Sequence, residues 1–193
     1  MTMDQSDMLV PKKGLTNYYF FSEALKDDID KIRQLAREYP VIDGNVSGKV
    51  DISYRSSQIR WIPYNESSKW LYQKCKNLLV TANKTMWNFN VTNMKENLQF
   101  TEYKADTKGH YDWHADLGDA VSTRKISMTV QLSDPSEYEG GDLEFMINRS
   151  IVKVPKIKGT VVFFPSYLQH RVTEVTSGTR HSLVTWFHGP TFI

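Results

Sequence analysis

Cysteine is almost absent from the chain. The single thiol, Cys75, cannot close an internal disulfide, so nothing here calls for an oxidising compartment. It sits at helical spacing among Leu71, Leu78 and Leu79, the setting of a buried core thiol rather than a nucleophile. Long apolar runs are missing too. No stretch approaches the roughly 18 residues of a membrane-spanning helix, and residues 1–11 lack the apolar run after a basic start that marks a signal peptide. Charge of one sign is scarce: the formal net charge is +2, and no basic run of five residues occurs. Nucleic acid and anionic membrane are therefore not expected as partners. The expectation is a soluble, cytoplasmic protein, and no feature reads out an oligomeric state.

What is present is ordinary globular composition, 40% hydrophobic and 24% charged over 193 residues. That is enough for one domain with a real core. Residues 17–21 are aromatic and read as a short strand. Ser22 is the expected N-cap of a helix whose apolar face is Leu25, Ile29, Ile32 and Ala36, with Pro40 beyond its end. Residues 43–57 are rich in Gly, Ser, Asn and Asp and read as loop, either a lid or an ordinary surface loop. Asn65 is placed to cap a second helix, from about 67 to 87, with Leu71, Cys75, Leu78, Ala82 and Met86 on one face.

From Leu98 the texture changes to about seven short strands. Ile126, Met128, Val130 and Leu132 alternate with Lys125, Ser127, Thr129 and Gln131, which is strand periodicity. Gly140 and Gly141 open a further strand through Leu143 and Phe145, and Gly159 opens another that Pro165 ends. Two helices followed by strands predict an α+β domain over 1–193: a helical part to about 95, then a β-sandwich or jelly roll over about 96–190.

The chemistry concentrates in His110-Tyr111-Asp112-Trp113-His114-Ala115-Asp116. Residues two apart on a strand share a face, so His114 and Asp116 could bind one ion, and so could His110 and Asp112. Alone, an H-x-D pair arises by chance in many chains, and a polar edge strand accounts for it. A third candidate ligand, His170, follows the strand at 160–164, and Arg180 and Ser182 stand on one face of a β-rich run from Thr179 to Phe187. A hairpin over 169–187 would bring His170 and Arg180 near each other. Two His and one carboxylate leave three octahedral positions open, the facial triad of non-haem Fe(II) oxygenases. Arg is suited to grip a carboxylate with parallel hydrogen bonds.

These segments, with Gly140-Gly141-Asp142-Leu143-Glu144-Phe145, Phe163-Phe164-Pro165-Ser166-Tyr167-Leu168-Gln169-His170-Arg171-Val172 and Thr179-Arg180-His181-Ser182-Leu183-Val184-Thr185-Trp186-Phe187, resemble the prolyl 4-hydroxylase-like branch of the 2-oxoglutarate/Fe(II) dioxygenases. Within that branch the resemblance is to PKHD-type hydroxylases and phage-encoded relatives, over roughly Leu98 to Pro190. The family pattern has a Tyr three residues before the metal His, which selects His114 and Asp116. The resemblance implies a double-stranded β-helix in which His114, Asp116 and His170 hold Fe(II). No catalytic side chain beyond these ligands is implied. Arg180 would bind 2-oxoglutarate, with Tyr103, Ser182 and Gln131 as further co-substrate contacts. Tyr111, Arg124 and Trp186 would line the substrate pocket. It further implies O2 as co-substrate, ascorbate as an additional candidate, and hydroxylation of a prolyl residue in a peptide or protein. A free amino acid or small metabolite is the alternative substrate, and a jelly-roll binding module without catalysis is the alternative class. The chain ends at Ile193, before the point where PKHD-type relatives usually stop. His181 and His188 read as packed or surface residues, and Trp61, Trp70 and Trp87 as core around the helices.

Overall fold

The computed structural model describes residues 17–44, 51–118 and 121–192. The segment 1–11, and residues 45–50 of the expected loop, lie outside the described residues. The elements in chain order are β1 (Tyr19–Phe21), α1 (Ile29–Arg37), β2 (Ile42–Asp43), β3 (Arg55–Ser56), β4 (Gln58–Ile62), α2 (Lys69–Met86), β5 (Leu98–Lys104), β6 (His110–His114), β7 (Arg124–Gln131), β8 (Tyr138–Gly140), β9 (Leu143–Ile147), β10 (Ser150–Lys153), β11 (Val161–Pro165), β12 (His170–Val172) and β13 (Val175–His188). They form two antiparallel sheets. The larger runs β1-β11-β7-β13-β5-β4-β2, with β8 beside the first part of β13; the smaller runs β10-β9-β12-β6-β3. This is the α+β jelly roll expected from the sequence.

Alternation on β7 explains how the layers assemble. Ile126, Met128, Val130 and Leu132 join Phe100, Phe163, Leu183 and Phe187 in a core that meets Ile29 and Ile32 of α1 and Leu71, Cys75 and Leu79 of α2. Ser127 and Thr129 point the other way, into the space between the sheets. Burying a Phe or Ile side chain is worth about 1.5–3 kcal/mol, so this helix-backed face carries much of the fold. Cys75 is fully buried there, and burial pushes its thiol up to about 12, consistent with an inert core residue. Among the described residues, no helix is long and apolar enough to cross a membrane.

Four expectations need correction. Ser22 does not cap a helix: the chain turns at Glu23 (φ 55°) and makes a 3-10 turn, Lys26–Asp28, before α1 begins. Leu25 N–H donates to Gly159 O at 3.0 Å, which ties this turn to the large sheet. The N-terminal part is not only helical beyond the expected β1, since β3 and β4 also join the sheets, and β3 lies in the stretch read as loop. Among the described residues nine strands, rather than about seven, run from Leu98 onward. The hairpin over 169–187 does not form. Both edges of β12 are already taken by β6 and β9, so the chain crosses over and β13 pairs in the other sheet. His170 and Arg180 therefore line the same cavity from opposite walls.

Candidate active site

A cavity of about 820 Å³ lies between the sheets. His114, Asp116 and His170 converge in it, with candidate ligand atoms all within 4.8 Å of one another. His114 ends β6 and pairs directly with His170 on β12. Between Tyr111 and His114 the ladder carries a bulge. The extra residue breaks the alternation, so both side chains turn into the cavity, ring centroids 3.5 Å apart. His110 and Asp112 are left facing a separate shallow depression beside Arg171 and Glu174. The bulge is what discriminates the two H-x-D pairs.

Each imidazole is oriented by a backbone carbonyl. His114 Nδ1 lies 2.7 Å from Asp112 O, and His170 Nδ1 lies 2.8 Å from Leu168 O. A carbonyl only accepts, so Nδ1 carries the proton and Nε2 presents a lone pair to the site. Burial, reinforced by His170, pushes His114 down to about 3, which keeps its ring neutral. Burial works to raise Asp116, but the two imidazoles and Ser127 outweigh it and hold the carboxyl below its usual range. His114 Nε2 is 3.9 Å from Asp116 Oδ1, and His170 Nε2 is 3.6 Å from Oδ2. Two imidazoles that turn Nε2 to the site and one carboxylate are a donor set that fits Fe(II).

Arg180 is 1% exposed, and its Nη2 donates to Gln131 Oε1 at 3.0 Å. Its Nε and Nη1 are buried without a partner. Leaving such donors unmade costs about 1–3 kcal/mol, so the guanidinium fits a carboxylate-bearing ligand. Its centre lies 5.4 Å from the ring of Tyr103, its cross-strand neighbour. Gly141 (φ 58°) passes so close that a Cβ there would stand 2.9 Å from Arg180 Cδ. Ser182 and Tyr103 line the cavity; Gln131 stands behind Arg180 rather than on the wall.

Arg124 and Trp186 also line the cavity, with the guanidinium 3.9 Å over the indole ring. Arg124 Nε and Nη2 donate to Glu96 Oε1 at 2.9 and 2.8 Å, and Nη1 to Asp116 O at 3.2 Å. His188 is buried, the packed one of its two expected readings, and bonds the other Glu96 oxygen and the Thr123 hydroxyl. Glu96 was missed, and the link from His188 to it was not foreseen. Strand parity could have found His188, which shares the face of Trp186 and Ser182. Trp61 was misjudged: it lies on β4, lines the cavity and tilts against Trp186 at 6.3 Å. Trp70 and Trp87 pack on the helical core as expected. Arg55 of β3 also lines the cavity, 4.7 Å over Tyr111, and no motif announced it. Burial pushes Tyr111 up to about 12. His181 faces away from the cavity, toward Ser133 and Glu102.

Comparison with known proteins adds a family to this geometry. Residues 98–188 match the family described as the 2OG-Fe(II) oxygenase superfamily. The matched segment is similar to that family over somewhat less than half of the chain. All three converging residues and Arg180 fall inside the matched segment. A PKHD-type hydroxylase of Synechococcus sp. is 37% identical over 89 residues, 46% of this chain and 40% of that protein. A PKHD-type hydroxylase of Hyphomonas neptunium is 44% identical over 71 residues, 36% of this chain and 31% of that protein. The chain thus spans less than half the length of these curated relatives. Solved structures extend the likeness in fold to nearly the whole chain. A Pseudomonas putida prolyl-4-hydroxylase superposes with TM-score 0.72 at 20% identity, covering 90% of this chain and 93% of that one. A Trichoplax adhaerens prolyl hydroxylase, solved with a hypoxia inducible factor peptide fragment, gives 0.77 at 18% identity, covering 95% and 88%.

Proposed function

We propose that the protein is an Fe(II)- and 2-oxoglutarate-dependent dioxygenase that hydroxylates a prolyl residue in a peptide or protein. One observation carries this reading. A single cavity holds both the open His114–Asp116–His170 face and a buried guanidinium with two unpaired donors. His114, Asp116 and His170 would hold the iron. Arg180, steadied by Gln131, would take the distal carboxylate of 2-oxoglutarate, with Tyr103 and Ser182 beside it. Bound iron with O2 and 2-oxoglutarate would supply the oxidation, hydroxylating a C–H bond as 2-oxoglutarate becomes succinate and CO2. The residues would bind, orient and exclude water. Tyr111, Arg124 and Trp186 would form the wall against which the substrate rests.

The prolyl assignment is supported by the relatives' names and by the wall itself. Trp61, Trp113 and Trp186 give apolar surface in a cavity with room beyond the co-substrate. The deciding experiment follows succinate formation by anaerobically loaded protein on admission of O2, with and without Pro-rich peptides. Peptide-stimulated succinate is expected, lost in His114→Ala and recovered in Arg180→Ala only at far higher 2-oxoglutarate. Turnover that free amino acids stimulate and peptides do not would reassign the substrate. No succinate and no iron binding would leave a binding module.

A further inference from the structure

The three candidate ligands are not held in the same way. His114 and His170 are fixed by strand pairing with each other. Asp116 stands two residues beyond the end of β6, where no ladder holds it. Its restraints come from the opposite sheet. Ser127 Oγ donates to Asp116 Oδ2 at 2.6 Å, and Ser166 Oγ lies 3.0 Å from Ser127 Oγ. Ser166 O accepts from Leu117 N–H at 2.8 Å, and Ser166 N–H donates to Lys125 O at 3.0 Å. Both serines are 0% exposed, at the end of the β7–β11 ladder. A hydroxyl desolvated there is costly unless it has a hydrogen-bond partner.

We propose that Ser127, backed by Ser166, is a positioning residue that sets the affinity of the metal site by fixing the Asp116 carboxylate. This rests on the reading of His114, Asp116 and His170 as the iron ligands. Ser127 has one proton, committed to Asp116, so Ser166 donates to Ser127 and the chain of bonds runs toward the carboxylate. Oδ2 is thereby engaged, and Oδ1 is left to ligate. A carboxylate that ligated through both oxygens would occupy a position the co-substrates need. The serine pair thus serves both affinity and the openness of the face.

The test is Mn(II) binding to metal-free protein, followed by the EPR signal of the free ion, in wild type, Ser127→Ala, Ser166→Ala and His114→Ala. Metal-free melting curves are run alongside, and binding is read well below each transition. Ser127→Ala is expected to weaken Mn(II) binding about 10–100-fold, the range typical of partners one step behind a ligand. Ser166→Ala should weaken it by a smaller factor. A role in folding alone would lower the melting temperature and leave affinity unchanged. Ser127→Ala binding within twofold of wild type overturns the proposal. If that variant does not fold, unchanged affinity in Ser166→Ala does so instead. Wild type that binds no better than His114→Ala would sink the metal-site reading itself, and this inference with it.

Discussion

The two sheets differ in what lies behind them. The larger has α1 and α2 packed on one face and the cavity on the other, so β7 and β11 are buried almost throughout and β13 is mostly buried from Arg180 onward. The smaller has the cavity on one face and, on the other, charged pairs such as Arg171–Glu144 and Lys153–Asp142. Stability is concentrated in the first, yet two of the three candidate metal ligands stand on the second. The division is physically sensible. A ligand strand needs only local rigidity, supplied here by carbonyls behind each imidazole, while the long anchor Arg180 must be desolvated and needs a wall that does not yield.

The sharpest break of this comparison removes a ligand from the thin sheet. His114→Ala or His170→Ala should lower Mn(II) affinity by more than the roughly 10–100-fold typical of an outer partner, and abolish succinate formation. Urea unfolding of the metal-free protein should barely change. A large loss of metal-free stability would show that the small sheet is as structural as the large one.

The matching cut in the thick sheet is Arg180→Met. Truncating one member of a buried charged pair costs about 2–5 kcal/mol, so 2-oxoglutarate binding, read by calorimetry with Mn(II) present, should weaken at least about thirtyfold. Mn(II) binding itself should be retained. Without 2-oxoglutarate the variant should melt higher than wild type, because Nε and Nη1 of Arg180 are buried unpaired in the ligand-free protein. A lower melting temperature would mean that the guanidinium is structural.

Core substitutions sharpen the contrast in energy. Phe163, 0% exposed on β11 and packed beneath the helices, should cost about 3–5 kcal/mol as Phe163→Ala. Ile151, 51% exposed on the edge strand β10, should stay within about 0.5 kcal/mol as Ile151→Ala. Urea midpoints give both, and similar losses would erase the distinction between the sheets.

How much of this was legible in the sequence follows the same division. Strict alternation on β7 announced which residues pack under the helices, because one face of that strand is apolar and the other is not. The helix periodicity of α2 was equally plain. His114, Asp116, His170 and Arg180 were legible as a set through their family spacing, and all four line one cavity. What was hidden depends on long-range pairing. No local pattern says that β12 has both edges occupied, so the crossover to β13 looked like a hairpin. No local pattern says that Arg55, on a two-residue strand in a polar stretch, reaches the cavity. Glu96 and His188 find each other only when the segment before β5 is laced to the end of β13, as by Asn93 O accepting from His188 N–H at 2.8 Å.

The smallest expected effect lies on the helix side of the large sheet, where its apolar cover runs out. Glu102 on β5 is flanked by His181 on β13 and Arg60 on β4. The bond from His181 lowers its carboxyl most, burial opposes, and Arg60 lowers it further, to about 2 from an ordinary 4.5. The folded state thus favours the ionised form. The resulting stability is fully present above about pH 4.5 and is lost as pH falls from there toward 2. After solvent screening it should amount to about 1–2 kcal/mol. Glu102→Gln should therefore be less stable than wild type at pH 7, and the gap should close as urea unfolding is repeated down to pH 3. A gap that stays constant would assign the loss to packing, and would mean that the large sheet draws its stability from apolar burial alone.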